Sequence, residues 1–568
     1  MKLPIVLTTT ALLFAAGCQA APVPSAPTGK VSPDQYLKSI PHPVFKSGHT
    51  LPRLTRFAYY LPFDTKVALT EDWGYALEFG SYAEDGWNTA DSILNNPKSD
   101  EARTLALTKS DPQKYPLSVL LNHSVPKEIP REAWIQDAEG HFLDGTAQWS
   151  VDTATAKQGT FWSPEAPDSI FQQMAELRLA PIRKILERAP IDMVLNGGEY
   201  GLSVGGAIGR ALHKDPRSEK RRVDRSWFEY ISQAKARQEM NITKAVRETI
   251  PGRSLYIWYA NGANPHANRY GTWDDWAWDF KDMQSVADLP SNSLYYKEYN
   301  SGWTGDADIL TQALNSRGIE ISYGWPLGYQ WVSAGWKRGE EGDKGFGDIA
   351  RYTGFLKCLY TAGTVGANAG YYGDPHKEGL NGPDASGNPF AAPFAGKFDP
   401  NDPPHWIRQM TALGQVHALY SYLEPFLREG YLLPGPNRHK WTKDDPAYEF
   451  PTGDATARVL ARRMKNEPEF IITAWAADGT DRDVKVSIPE LGEVTVKARA
   501  CGSTYHAVIK DGQPVLTLLD EDGLAPTVSA QAQSTLDALF SVAQPTAMVK
   551  TTQAAKRVKS SRKEQPKP

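Results

Sequence analysis

The sequence predicts an α/β fold: a (β/α)8 barrel over residues 41–435, followed by a small antiparallel β-sandwich over residues 436–523. Three observations carry this. Short apolar runs alternate with segments of helical period through the first 430 residues, eight such runs can be counted, and near residue 455 the period changes to two.

The elements follow in chain order. Residues 1–18 read as an export signal: Lys2 supplies the charge, Leu3 to Ala16 the apolar stretch, and Ala15-Ala16-Gly17-Cys18 the small residues of a cleavage site. A cysteine after Ala-Ala-Gly resembles a lipobox, which makes Cys18 a candidate for lipidation, although Ala15 stands where Leu is usual. Residues 19–40, rich in Pro, Ala and Ser, read as a tether. The eight expected strands are "RFAYYLPF", "YALEFGSY", "PLSVLLNHS", "IDMVLNGGEY", "SLYIWYANG", "SLYYKEYNSG", "GIEISYGWP" and "VGANAGYYGD". Helical periodicity covers 168–188, 226–249, 306–316, 346–362 and 406–428. The runs "EFIITAWA", "DVKVSIP", "EVTVKARA", "TYHAVIKDG" and "PVLTLLD", joined by turn residues, read as the sandwich. Residues 524–568 read as a disordered tail, basic at its tip.

A formal net charge of -4 provides no field to recruit nucleic acid, and no apolar run after the signal is long enough to span a membrane. Membrane attachment is therefore expected only through Cys18, and the location is periplasmic or outer-membrane-anchored. Nothing in the sequence sets an oligomeric state. Cys358, on an apolar helical stretch, is expected to be a buried free thiol. No His/Cys spacing suits zinc, "DPNDPP" reads as solvated turns rather than a calcium loop, and no cofactor motif is present.

Barrel chemistry gathers at the C-terminal strand ends. Strand four ends in "NGGEY", which places Glu199 there, and strand six ends in "KEYN", which places Glu298. Two carboxylates at one rim suit glycoside hydrolysis, one protonating the leaving oxygen and the other attacking the sugar or activating water. Eight of the 17 Trp (258, 273, 276, 278, 303, 325, 331 and 336) crowd one stretch of chain, as a sugar-stacking surface would need. Asn122, His123, Asn196, Tyr259, Trp303, Trp325 and Tyr372 are the expected sugar contacts, and Glu320 and Asp374 are alternative nucleophiles. Lys297, Arg269 and Lys337 would suit a sulfated or carboxylated sugar.

A glutamate after strand four, a second about a hundred residues later and a trailing sandwich resemble the clan A retaining glycoside hydrolases, particularly families acting on marine galactans such as agar, porphyran and carrageenan. The resemblance implies Glu199 as acid/base and Glu298 as nucleophile. Two features depart from that pattern: Asn196 stands three residues before Glu199 instead of next to it, and the clan's nucleophile ends strand seven, not six. Rival readings are a non-catalytic glycan-binding lipoprotein, a polysaccharide lyase, and a serine esterase using Gly201-Leu202-Ser203-Val204-Gly205 as its nucleophile elbow.

Overall fold

The structure, a computed structural model, describes residues 31–56, 61–80, 89–121, 130, 133–140, 163–196, 209, 212–250, 255–259, 279–295, 306–333, 348–369, 381–382, 392–393, 399–401, 403, 405–438 and 446–520. Strands β1 (Thr55–Arg56), β2 (Leu77–Gly80), β3 (Leu117–Leu120), β4 (Met193–Asn196), β5 (Leu255–Tyr259), β6 (Leu289–Tyr295), β7 (Gly328–Ser333) and β8 (Thr364–Ala369) form one parallel sheet. Its order is β1-β8-β7-β6-β5-β4-β3-β2. Each strand is followed by a helix: α1 (Phe63–Trp73), α2 (Asp100–Ser110), α3 (Asp168–Leu186), α4 (Trp227–Thr249), α5 (Phe280–Met283), α6 (Asp306–Ser322), α7 (Ile349–Thr361) and α8 (His405–Tyr422).

The two edges of this sheet meet. Leu54, just before β1, bridges Tyr75, just before β2, in parallel sense, and the Ala76 amide donates to the Leu54 carbonyl at 2.6 Å. Followed around the sheet from ladder to ladder, with β7–β8 taken from the four pairs Tyr329–Val332 beyond the register shift at Gly328/Tyr329, the register returns to the chain ahead of β1 eight residues short of its start.

Alternation along the strands separates two faces. Leu77, Phe79, Leu117, Val119 and Val194 share a cluster with Leu179 and Ile182 of α3 and Ile242 and Val246 of α4, so this face lies under the helices. The alternate positions Leu120, Met193, Leu195, Ile257, Leu289 and Tyr329 belong to a different cluster.

Local signals set the helix boundaries. Ser226 and Glu229 form the capping box that "SWFE" encodes, each side chain bonding the other's amide, at 3.2 and 2.8 Å. Gly74 ends α1 in the left-handed region (φ 77°), and a Cβ there would lie 2.5 Å from the Phe45 ring. The seventh strand corrects the sequence reading: Gly318–Ser322 of "GIEISYGWP" is the last turn and a half of α6, and β7 is "GYQWVS". Ile309, Leu310, Ala313, Leu314 and Ile319 are buried at helical spacing, and that period outweighs the short alternation of Ile319 and Ile321.

A two-residue ladder joins β9 (Asn381–Gly382) to β10 (Ala392–Pro393). The second layer is antiparallel, with β11 (Gly430–Leu432), β12 (Ala457–Met464), β13 (Glu469–Ala476), β16 (Ser503–Lys510) and β17 (Gln513–Leu518) in one sheet, ordered β11-β12-β13-β16-β17. The hairpin β14 (Arg482–Ile488)–β15 (Gly492–Ala498) packs Val484, Val486, Val494 and Val496 into the same core as Val459, Phe470 and Ile472. β11 lies before residue 436 in the chain, and β12 was not among the strands expected from sequence.

Buried polar bonds fasten this layer to the helices. Trp475 of β13 donates from Nε1 to the Ala500 carbonyl at 3.0 Å and lies against Gly354 of α7, where a side chain would collide with the indole. Lys357 of α7 is paired with Asp520 and donates to the Gly502 carbonyl at 2.9 Å. Burial pulls its ammonium pKa down, and Asp520 opposes that pull. Arg462 of β12 donates to the carbonyls of Phe426, Leu427 and Gly430 at 2.6, 2.9 and 3.1 Å. Cys358 is a free, buried thiol, as expected.

Replacing Asp520 with Asn strands a buried ammonium. Urea denaturation is expected to show a loss of ~3–5 kcal/mol, with the Lys357→Met/Asp520→Leu pair recovering most of it. A wild-type-like midpoint for Asp520→Asn would mean that the pair is not buried.

A second prediction concerns pH. The Lys46 amide bonds Ser421 Oγ at 2.9 Å and the Thr50 amide bonds Glu424 at 2.7 Å, which lays residues 45–50 along α8. This brings His49 within 6.3 Å of His417, whose Nδ1 bonds the Tyr360 hydroxyl at 2.8 Å. Burial, then Arg53, lowers the His49 pKa to about 4, against Glu424. Burial also holds His417 well below its usual range. Because both folded pKa values are depressed, the unfolded chain takes up more protons, so stability is full above pH 6.5 and falls between 6.5 and about 4. Thermal melts at pH 7 and 4.5 should show this fall, and His49→Gln should reduce it.

Candidate functional site

β4, β5 and β6 are consecutive hydrogen-bonded neighbours, so no further strand separates β5 from β6 in the sheet. β4 is described as far as Asn196 and β6 as far as Tyr295, and Glu199 and Glu298 each follow three residues later in the chain. Both glutamates lie outside the described residues, as do Cys18, Asn122, His123, Ser203, Trp303, Tyr372 and Asp374. Tyr259 is the last residue of β5, in register with Ser291. All of Gly201–Gly205, the expected nucleophile elbow, likewise lies outside the described residues.

Three expected site residues lie elsewhere. Asn196 is 1% exposed and donates from Nδ2 to a Glu239 carboxylate oxygen of α4 at 2.6 Å. It shares the parity of Val194, so its side chain belongs to the helix-covered face and not to a ligand site. Lys235, one helical turn from Glu239, is also buried, and burial pulls its ammonium pKa well down, with Glu239 opposing.

Trp325 lies between α6 and β7, at the edge where the parallel strands begin. It is 6% exposed, bonds the Ala287 carbonyl at 3.3 Å and meets the Phe280 ring edge-on, leaving no indole face for a sugar. Glu320 is fully buried on α6 and ion-paired with Arg317, which also donates to the Trp325 carbonyl at 3.1 Å. It is a structural partner, not a nucleophile.

On the sheet face turned away from the helices, sequence reasoning missed three buried polar groups: Glu78 of β2, Ser291 of β6 and Asn368 of β8. Register and parity place them on the face that carries Leu195 and Tyr329. Deeper on that face, the Tyr329 hydroxyl bonds Thr55 Oγ1 at 2.7 Å and the Ala367 carbonyl at 2.8 Å, and burial raises its pKa. The signal for Glu78 was available: a glutamate inside the apolar run "YALEFGSY". Among the described residues, no group of three or more His, Cys, Asp or Glu could hold a metal ion.

No protein-family model matches the chain, and no curated protein matches it. Among solved structures it is similar to the isomaltulose synthase SmuA from Protaminobacter rubrum, at 9% identity over 78% of this chain and 91% of that one, TM-score 0.42. It is also similar to an Anoxybacillus alpha-amylase, at 11% identity over 72% and 81%, TM-score 0.37. A third is the GH36 alpha-galactosidase AgaA from Geobacillus stearothermophilus, at 9% identity over 85% and 57%, TM-score 0.40. Superpositions this loose carry neither a fold nor an activity across.

The placement of Asn196 is testable. Asn196→Asp sets a second carboxylate against Glu239, so one of the two must take up a proton. Calorimetry should show a loss of roughly 2 kcal/mol at pH 8 that shrinks at pH 5.5. A pH-independent effect would put Asn196 in the open.

Proposed function

We propose that the chain is an exported glycoside hydrolase cleaving a polysaccharide or its oligosaccharides, with Glu199 and Glu298 as its carboxylate pair. The observation that supports this reading is the sheet order, in which β4 and β6, the strands that Glu199 and Glu298 follow in the chain, flank β5. Neighbouring strands lie ~4.8 Å apart, so β4 and β6 are separated by about 10 Å, and side chains leaning inward can reach the ~5–10 Å range of glycosidase carboxylates.

The reading includes a closed (β/α)8 barrel. The Leu54–Tyr75 bridge and the eight-residue displacement of the register support it, because eight strands with a shear of eight define such a barrel. The antiparallel layer is read as the trailing sandwich. The domain limits at 435 and 523, the tether, the basic tail and a lipid-modified Cys18 holding the enzyme in the periplasm or at the outer membrane belong to the same proposal.

In the reaction, Glu199 protonates the glycosidic oxygen as the bond to the anomeric carbon breaks. Glu298 attacks that carbon, forming a glycosyl ester, and water activated by Glu199 then releases the sugar with retention. Tyr259, Trp303 and Tyr372 are proposed to stack on sugar rings, and Asn122 and His123 to bond hydroxyls. A β4/β6 pair departs from the clan A arrangement, and marine galactans enter as candidate polymers.

Reducing-sugar release across algal and plant polysaccharides should reveal a substrate. Glu199→Gln and Glu298→Gln are each expected to lower its hydrolysis by roughly 10²–10⁴-fold without changing the melting temperature. A fully active variant removes that residue from the mechanism.

A further inference from the structure

Against α7 the antiparallel layer is sealed by Trp475 and by the Lys357–Asp520 pair, but beside α6 the two layers stand apart. The gap is a cavity of about 290 Å³. Thr311 and Leu314 of α6 line it from one layer, and Asn437, Tyr448, Glu449 and Arg458 line it from the other. Among the described residues, none that lines it belongs to the parallel sheet.

The backbone fixes its second wall from both sides. The Gly435 amide donates to the Ala447 carbonyl at 2.7 Å, and the Ala447 amide donates to the Asn437 carbonyl at 2.9 Å. On the other side the Phe450 amide donates to the Val459 carbonyl at 2.9 Å. Gly435 has to be glycine, because a Cβ there would collide with the Glu449 carbonyl oxygen. Tyr448 reaches α6 at Gly318, where a Cβ would lie 2.8 Å from its ring. The cavity is therefore preformed, as small-molecule sites usually are.

Its polar groups are balanced in charge. Arg458 forks onto both carboxylate oxygens of Glu449 and donates to Thr311 Oγ1 at 2.8 Å. Asp454, also on the cavity, accepts from the Thr456 amide at 2.8 Å and pairs with Arg482 at 3.1 Å. Two arginines, 438 and 458, thus face two carboxylates, 449 and 454, and the lining sums to zero. Each Glu449 oxygen takes one bond from Arg458, and a carboxylate oxygen has room for two.

We infer that this cavity is a second sugar-binding site, which takes a neutral, hydroxylated ring and holds a glycan away from the cleavage site. The class of ligand rests on the glycosidase reading, whereas the location does not. Sugar hydroxyls donate to Glu449, the Asn437 amide can donate and accept, and Leu314 and the Tyr448 ring offer apolar surface to ring C–H groups. A sulfate or carboxylate would sit beside Glu449 and Asp454, where partial exclusion of water strengthens repulsion between like charges. An apolar tail would desolvate the same groups without pairing them. The volume stands at the lower end of the range for ligand pockets, roughly 300–1,000 Å³, which suits one or two rings. A polymer held here stays near the enzyme between cleavages, because its second encounter becomes intramolecular.

The test applies saturation-transfer NMR to the full chain with glucose, galactose, mannose and xylose, and with glucuronate, galacturonate and glucose 6-sulfate. At least one neutral sugar is expected to bind about 10-fold or more tighter than every anionic one. Ala455→Trp, at an exposed position on the cavity, fills it with an indole and should lower that sugar's transfer signal at least about twofold. Asn437→Ala, also exposed, should weaken the sugar about threefold and serves as the second variant if Ala455→Trp does not fold. Binding by no neutral sugar, equal or tighter binding of the anionic ones, or an unchanged signal in folded Ala455→Trp overturns the inference. Sugar binding that Ala455→Trp removes, with no polymer hydrolysed, leaves the cavity and removes the glycosidase. Hydrolysis together with a signal indifferent to Ala455→Trp removes only the cavity.

Discussion

The in-phase register of the parallel sheet is the constraint on which the rest depends. Residues paired across neighbouring parallel strands share a face, and successive residues alternate between faces, so fixing one strand fixes the rest. Val194 under α3 and α4 therefore commits Asn196 to the helices, and Leu195 commits Glu78, Ser291 and Asn368 to the opposite side. A shift of one residue in β2 would place Glu78 beneath α1 and α2 and bring Phe79 to the inner face. The backbone ladder and the apolar core oppose that shift together, because neither can be satisfied in the shifted register without exposing the other.

The same economy governs the contact with the antiparallel layer. Lys357, Arg317 and Arg462 are all essentially buried, yet each is placed where backbone carbonyls are left over at the ends of helices or strands. Cations suit that position, since the C-terminal ends of helices carry partial negative charge and unpaired carbonyls. The network adds modest net stability and fixes one geometry: alternatives in which the layer slides along α7 leave charges buried without partners. Thr361, Tyr420 and Thr473 add a neutral version of the same device, with hydroxyls 2.6 and 2.7 Å apart across α7, α8 and β13, and burial pushes the Tyr420 phenol up to about 12.

Six of the eight parallel strands were legible because their apolar runs are short and bounded by polar or glycine-rich turns; the first expected run, "RFAYYLPF", meets β1 only at Arg56, and its Phe63 already begins α1. The seventh was not. "GIEIS" shows strand-like alternation over five residues, and only the longer period reaching back to Ile309 identifies it as helix. β7 itself, "GYQWVS", hides a glutamine and a tryptophan in a buried strand. The site was legible in a narrower sense. A carboxylate just past a strand end can be read from one sequence, because chain order alone places it. The face on which Asn196 lies needs the register, and the burial of Trp325 needs the packing of α5 and α6. Tryptophan content marks large surfaces that want burial, and a core satisfies that want as readily as a sugar.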